Sequence, residues 1–559
     1  MKKKLLALSL CLLLPNVAGA EVFYACPSGT GMADGSSFAN CCNGIADTDC
    51  VPSPLDTVYL CGAFGATTIN TIGTDDSNRI TYDGSCPGGP AGSFTGTLTC
   101  GSSADWLTFR DIAQTSASGA CVFINGSDGI KFEFADIDTC AAACVNLSAT
   151  ADADDLAIDQ SAISNCAAGG LTLIDTTAAG VSWDRVSITN TTWDSCDTVT
   201  DATDRGCIRM TIGAAAPDTT TIVDLLLDHN DFYDCDGAEG IACIDVGWQT
   251  VASGGARRAA VVDPVITYNR TMGTDNYSGM ILKHASNQTT HHNNFSNNTG
   301  NGGGMVQFYS TNGTISLNTC SNNTPGTIDG GGIDMDHGNY GIIIEKNTCT
   351  DNNGNAEINS GYGIMILDSE ALTVRHNYLP GNKYAFYLGE NAGLTTTNSI
   401  YNNTGPNSDL DAVYIASTMT DSLYNFQNNI LIGSGRYGMN NIGNTAQTAD
   451  YNLTYGNVSG DYFQQAAGAH DLTVDPLLDS TGRPRLKSLY DAGAATDTTY
   501  CGQGNPIGAW ELCKGVSMPP SLWFLGTPDS YSLGGGRVHI ELVTFGGESV
   551  TFGGEAVTW

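Results

Sequence analysis

Seven side chains between residues 283 and 368 are of types that do chemistry together: Lys283, His284, Tyr309, Asp334, Asp336, His337 and Asp368. They offer an amine, two imidazoles, a phenol and three carboxylates, the parts that β-elimination of a uronate requires. Asp334 and Asp336 stand two residues apart, ~7 Å along a strand, and with Asp368 they would hold a Ca²⁺ ion. Such an ion neutralises the substrate carboxylate and acidifies the adjacent C–H. Lys283, once deprotonated, would take that proton, with His284 or His337 as the alternative base or as the acid. Tyr309 and the three aspartates would contact the sugar. Inverting hydrolysis is a second chemistry for such a patch, since it needs two carboxylates about 6.5 to 9.5 Å apart.

These residues are far apart in the chain and meet only if short strands stack in register. A small residue followed by alternating apolar positions recurs at Gly206-Cys-Ile-Arg-Met, Gly279-Met-Ile-Leu, Gly304-Met-Val-Gln-Phe, Gly332-Ile-Asp-Met, Gly363-Ile-Met-Ile-Leu, Ala385-Phe-Tyr-Leu and Ala412-Val-Tyr-Ile. Each reads as a strand. Between them stands an Asn with an apolar residue or Cys two places on: Asn230/Phe232, Asn293/Phe295, Asn318/Cys320, Asn347/Cys349, Asn377/Leu379, Asn398/Ile400 and Asn428/Ile430. With Asn269 included, the separations run from 21 to 39 residues, a period that means a solenoid. Stacked coils pair every strand above and below at ~4.8 Å. Asn at one turn in successive coils forms a ladder of amides and tolerates a left-handed turn.

Aligning the strand starts places Ile281, Val306, Asp334, Met365 and Tyr387 in one outward column and Lys283, Phe308, Asp336 and Leu367 in the next. His284, Tyr309, His337, Asp368 and Glu390 follow at the strand ends. A slip of one residue would turn all of these side chains inward, and exposed Asp, His and Lys also decorate any solvated sheet. The groups Asp228-His229-Asn230-Asp231, His291-His292 and Arg375-His376 adjoin the Asn turn and are expected on its solvent side. Trp183, Trp193 and Trp248 are read as core or coil-edge residues, with stacking on sugars the alternative.

Residues 1–20 have a Lys-rich start, an apolar run from Leu5 to Leu14 and small residues at Ala18 to Ala20, the pattern of a secretory signal peptide. The run is too short to span a bilayer. Of 20 cysteines, Cys11 lies in this segment, so 20 − 1 = 19 remain, an odd number. Export permits disulfides. Cys26, Cys41, Cys42, Cys50, Cys61, Cys86 and Cys100, with Cys501 and Cys513, are the expected bridge formers, in a pairing the sequence leaves open. Cys140, Cys166, Cys196, Cys235, Cys320 and Cys349 are expected as free inward thiols. With 58 acidic and 22 basic residues spread along the chain, nucleic acid is excluded as a partner, because phosphate binding needs clustered cations. An anionic glycan would approach through bound cations or a local basic patch.

Three further stretches carry a family resemblance. The first is Val22-Phe-Tyr-Ala-Cys-Pro-Ser-Gly-Thr-Gly with Asp34-Gly-Ser-Ser-Phe-Ala-Asn and Leu55-Asp-Thr-Val-Tyr-Leu; the second is the Asn ladder; the third is Asp475-Pro-Leu-Leu, Asp491-Ala-Gly and Asn505-Pro-Ile-Gly-Ala-Trp-Glu511. Over roughly residues 21–513 the chain resembles the secreted right-handed parallel β-helix proteins of the pectate-lyase-like superfamily with a choice-of-anchor Q type ending, where an Asp is usual in place of Asn505. The resemblance implies a right-handed single-stranded parallel β-helix, all β, of about a dozen coils, and export. Lyases of this fold use Ca²⁺ and a Lys or Arg base, but their local motifs do not match here residue by residue. The paired-Asp and Gly-His-Gly motifs of polygalacturonases have only a faint echo in Asp336-His337-Gly338.

The expected organisation is a signal peptide at 1–20, a Cys-rich cap and first coils at 21–100, the β-helix at 101–465, a closing segment at 466–513 and a Gly-rich tail at 514–559. The tail repeats Thr544-Phe-Gly-Gly-Glu-Ser-Val as Thr551-Phe-Gly-Gly-Glu-Ala-Val, which suggests hairpins and self-association or surface attachment. The function expected is binding of an extracellular polysaccharide, with Ca²⁺-dependent cleavage of uronate-containing glycans. A non-enzymatic adhesin or fibre protein, or an inverting hydrolase, is the alternative.

Overall fold

The computed structural model describes residues 20–45, 47, 50–116, 118–148, 152–175, 182–196, 206–212, 220–235, 242–248, 260–272, 278–300, 302–324, 330–354, 360–389, 395–419, 424–443, 445–486, 489, 492–494, 507–509, 550–552 and 555–557. The leader, Glu390, Asp491, Cys501, Asn505, Cys513 and all but Val550 of the first copy of the tail repeat lie outside them. The chain divides into one unit at Met1–Leu512 and another at Cys513–Trp559. In the second, Val550–Phe552 pairs antiparallel with Glu555–Val557. Among the described residues no helix is long and apolar enough to cross a membrane.

The first unit is a right-handed parallel β-helix. Its strands form a 15-stranded sheet, a 21-stranded sheet, and an 11-stranded sheet extended by a 3-stranded one. The 15-stranded sheet starts at Thr67–Ile69 and ends at Gly460–Phe463. Coils therefore begin inside the segment expected to hold the cap and the first coils. The alternation of the strands builds the core: Ile208 and Met210, Ile244 and Val246, Met280 and Leu282, Ile333 and Met335 stack inward. Trp183, Trp193 and Trp248 all join that core. One inward polar residue, Gln307, exchanges amide hydrogen bonds of 2.7 Å with Gln288, so its burial leaves the amide satisfied.

The corners explain the repeat. At one turn a continuous ladder runs Asn230, Asn269, Asn293, Asn318, Asn347, Asn377, Asn403, Asn429, Asn452, each side-chain N–H donating to the next Oδ1 at 2.9–3.0 Å. Here the structure corrects two assignments. Asn398 and Asn428 are outside the ladder, which uses the second residue of the doublets Asn402-Asn403 and Asn428-Asn429. The left-handed residue is also the one before the ladder: His229, Tyr268, His292, Leu317, Lys346, His376, Asn402 and Asn428 all have φ of 54–57°. Asn428 instead holds the closing segment, donating to Ala494 O at 2.9 Å and accepting from Ala494 N at 2.8 Å. Near this contact His376 is buried, not solvent-facing as expected, and burial pushes its imidazole down to about 4.

A second corner holds Cys140, Cys166, Cys196 and Cys235 in the early coils and Asn298, Asn323, Asn352 and Asn382 in the later ones, each directly after a left-handed residue. What faces the corner changes with it. Cys140 and Cys166 are bonded to Cys121 and Cys144, residues that directly precede strands of the 15-stranded sheet. In later coils the facing residue is glycine: a Cβ on Gly279, Gly304 or Gly363 would lie 3.0–3.1 Å from the amide nitrogen of Asn298, Asn323 or Asn382. Coils thus close here either by a disulfide or by an asparagine amide fitted against a glycine. Cys140, Cys166 and Cys235 are accordingly not free thiols, whereas Cys320 and Cys349 are, and so is Cys100, which was expected to form a bridge. Bridges Cys26–Cys41, Cys42–Cys50 and Cys61–Cys86 tie the N-terminal segment.

Candidate functional site on the fifteen-stranded sheet

Register in the 15-stranded sheet fixes what its outward face presents. Thr172, Arg209, Asp245, Ile281, Val306, Asp334, Met365, Tyr387 and Tyr414 are successive partners in one column. Thr211, Gly247, Lys283 and Phe308 run beside them. The first column is the one expected from the strand starts, the second follows the expected one from Lys283 to Phe308, and both extend further toward the N-terminus.

That extension holds what sequence reasoning missed. Lys283 Nζ lies 2.7 Å from Asp245 Oδ1, with only 9% and 2% of their side chains exposed. Arg209, directly beside Asp245 in the ladder, is buried as well. Two cations and a carboxylate thus occupy adjacent strands in a sheltered place, where charge costs much to bury and interacts strongly. The signal was legible: Arg209 is the fourth residue of Gly206-Cys-Ile-Arg-Met, and Asp245 follows Cys243-Ile244 at the same spacing.

At the strand ends His284 stacks on Tyr309, ring centroids 5.0 Å apart, and meets the edge of Trp248 at 6.3 Å. His284 and Tyr309 share the left-handed corner, with φ of 55° and 50°. One coil on, the register slips. Tyr309 N donates to His337 O at 2.8 Å, which sets Gly338 opposite Tyr309 and makes His337 the extra residue. Gly338 has φ of 72°, and a Cβ there would strike the Tyr309 ring, so glycine is required. The displaced His337 points its Nδ1 at Asp336 Oδ1, 3.0 Å, and Asp368 Oδ2, 3.1 Å. Hydrogen bonding to Asp336 and then to Asp368 holds the imidazolium form, with a pKa of about 10 against an ordinary 6.5.

The seven expected residues therefore form two groups: Lys283, His284 and Tyr309 with Asp245, and Asp336, His337 and Asp368. Asp334 is buried in the first of the two outward columns, between Val306 and Met365. The fit to Ca²⁺ is poor, because Asp334, Asp336 and Asp368 do not bring their carboxylate oxygens within 4.8 Å of one another and the His337 ring stands between the last two. Among the described residues, Cys207, Cys235 and Cys243 are the one group of three or more His, Cys, Asp or Glu whose donor atoms come within 4.8 Å of one another. The two carboxylate neighbours of His337 favour the charged ring, which suits His337 to the role of proton donor.

A family model described as right handed beta helix region matches residues 230–405. That stretch contains all seven residues. No curated relative matches the sequence. Solved structures similar to this chain include the periplasmic alginate epimerase AlgG (13% identity, 65% of this chain and 77% of that one, TM-score 0.36). Pectate lyase Pel9A is 12% identical over 89% of this chain and 97% of its own, with a TM-score of 0.22. Alginate lyase AlyF-OU02 is 11% identical over 78% and 89%, with a TM-score of 0.40.

Proposed function

We propose that the protein is an exported polysaccharide-binding β-helix that cleaves a uronate-containing glycan by β-elimination on the outward face of its 15-stranded sheet. The observation that carries the reading is the sheltered row Arg209, Asp245, Lys283 leading to the stacked pair His284 and Tyr309. Arg209 and Lys283 meet the substrate carboxylate and draw charge from the adjacent carbon. Asp245 positions the lysine. His284 accepts the proton from C5, the C4–O4 bond breaks as the C4–C5 double bond forms, and the leaving O4 takes a proton from His337. The protein's own cations supply the neutralisation here, so no step runs through calcium.

The 2.7 Å contact of Lys283 with Asp245 favours a second reading, in which the row clamps adjacent coils of a non-enzymatic glycan-binding solenoid. The two separate in one assay, which follows the ultraviolet absorbance of the unsaturated uronate product over a panel of acidic polysaccharides, with and without chelator. Wild type is expected to form product with chelator present, and His284→Ala to lose about 10²–10⁴-fold in rate, the usual worth of a general base. Glycan retention in affinity electrophoresis without product would establish the binding reading. Neither product nor retention would remove both.

A further inference from the structure

Cys121–Cys140 and Cys144–Cys166 each join the residue ahead of a sheet strand to the corner that closes the same coil. Further along, Cys207 and Cys235 hold the same two positions and are bonded in the same way. A third cysteine then intrudes. Cys243 precedes the next strand, sits beside Cys207, whose N–H donates to Cys243 O at 3.0 Å, and its sulfur also reaches bonding contact with Cys235. All three residues are buried and their sulfurs lie within 4.8 Å of one another.

A sulfur forms one disulfide at a time, so three sulfurs in mutual reach hold one bond and one thiol. The geometry points to a thiol–disulfide exchange site in which Cys235 pairs with either Cys207 or Cys243. In the exchange the Cys243 thiolate attacks Cys235 Sγ. The Cys235–Cys243 bond forms as Cys207–Cys235 breaks, and Cys207 leaves as a thiolate and takes up the proton that Cys243 gave up. Sulfur oxidation states balance, and no oxidant or reductant is consumed. The two isomers tie the corner to different strands, Ile208–Ile212 carrying Arg209 or Ile244–Trp248 carrying Asp245.

Disulfide mapping tests this. Native protein is unfolded in the presence of an alkylating agent at mildly acidic pH, then digested with trypsin and a protease that cleaves before Asp. Arg209 separates Cys207 from the others, and Asp236 separates Cys235 from Cys243. Wild type is expected to give both Cys207–Cys235 and Cys235–Cys243, with the label on the remaining cysteine in complementary amounts. Cys207→Ser should give only Cys235–Cys243, and Cys243→Ser only Cys207–Cys235, each with the circular dichroism of the wild-type β-fold. A single linkage in wild type, with no Cys235–Cys243 bond in folded Cys207→Ser, would overturn the exchange. So would one tightly held soft metal ion and no linkage in native mass spectrometry. The readout involves no glycan, so its failure leaves the functional reading where it stands.

Discussion

His337 shows what one inserted residue does. Without the slip at Gly338 its ring would continue the column of His284 and Tyr309; with it, the ring falls between Asp336 and Asp368 and holds its proton. The raised pKa sets the sign of the linkage: the pairing stabilises the fold fully below the ordinary value of 6.5 and is lost as pH rises through about 10. The imidazole resonances of His337 are therefore expected to stay those of the charged ring from pH 6 to 8 and to titrate near 10. A midpoint between 6 and 7 would dissolve the cluster and return His337 to the candidate bases. None of this was legible in Asp336-His337-Gly338, because a bulge depends on the length of the neighbouring coil. Arg209 and Asp245 were legible, since both sit on strands whose starts repeat, and they were missed by a column begun too late.

At the scale of the element, the strands were easy to read and the corners hard. Period-two alternation places side chains whatever the turn does, so the outward columns came through. The corners carry two similar Asn positions, one left-handed and one in the ladder, and a doublet such as Asn402-Asn403 offers both without saying which is which. Cysteine pairing was hidden for a related reason: it depends on which residues a full coil brings face to face. The ladder position has an energetic signature. Asn318 accepts from Asn293 N and Nδ2, at 3.0 Å each, and donates to Thr290 O at 3.0 Å and Asn347 Oδ1 at 2.9 Å, all of it buried. Asn318→Ala strands these partners at about 1–3 kcal/mol for a lost buried bond. Denaturant unfolding should show a loss of about 2–5 kcal/mol. A change below 0.5 kcal/mol, roughly what a surface substitution gives, would mean that water replaces the amide and that the ladder does not hold the corner.

Along the whole molecule the two means of closing a coil are segregated. All the disulfides among the described residues lie at or before Cys243, whereas the ladders run from Asn230 to Asn452 and from Asn298 to Asn382. In a solenoid each coil contacts only its neighbours, so stability is a sum of local terms that a local change perturbs locally. Removing Cys144–Cys166 should cost about 2–5 kcal/mol, and the loss should stay near the cut. In the double variant Cys144→Ser, Cys166→Ser, amide hydrogen exchange is expected to quicken in the strands Val145–Leu147, Ala162–Cys166 and Leu171–Asp175 and their immediate neighbours. The strands from Ser278–Lys283 to Asp411–Ile415, closed at that corner by no disulfide, should keep wild-type protection. Uniform quickening from end to end would mean that the β-helix unfolds as one cooperative body, and that the early disulfides also support the coils bearing Lys283 and His284.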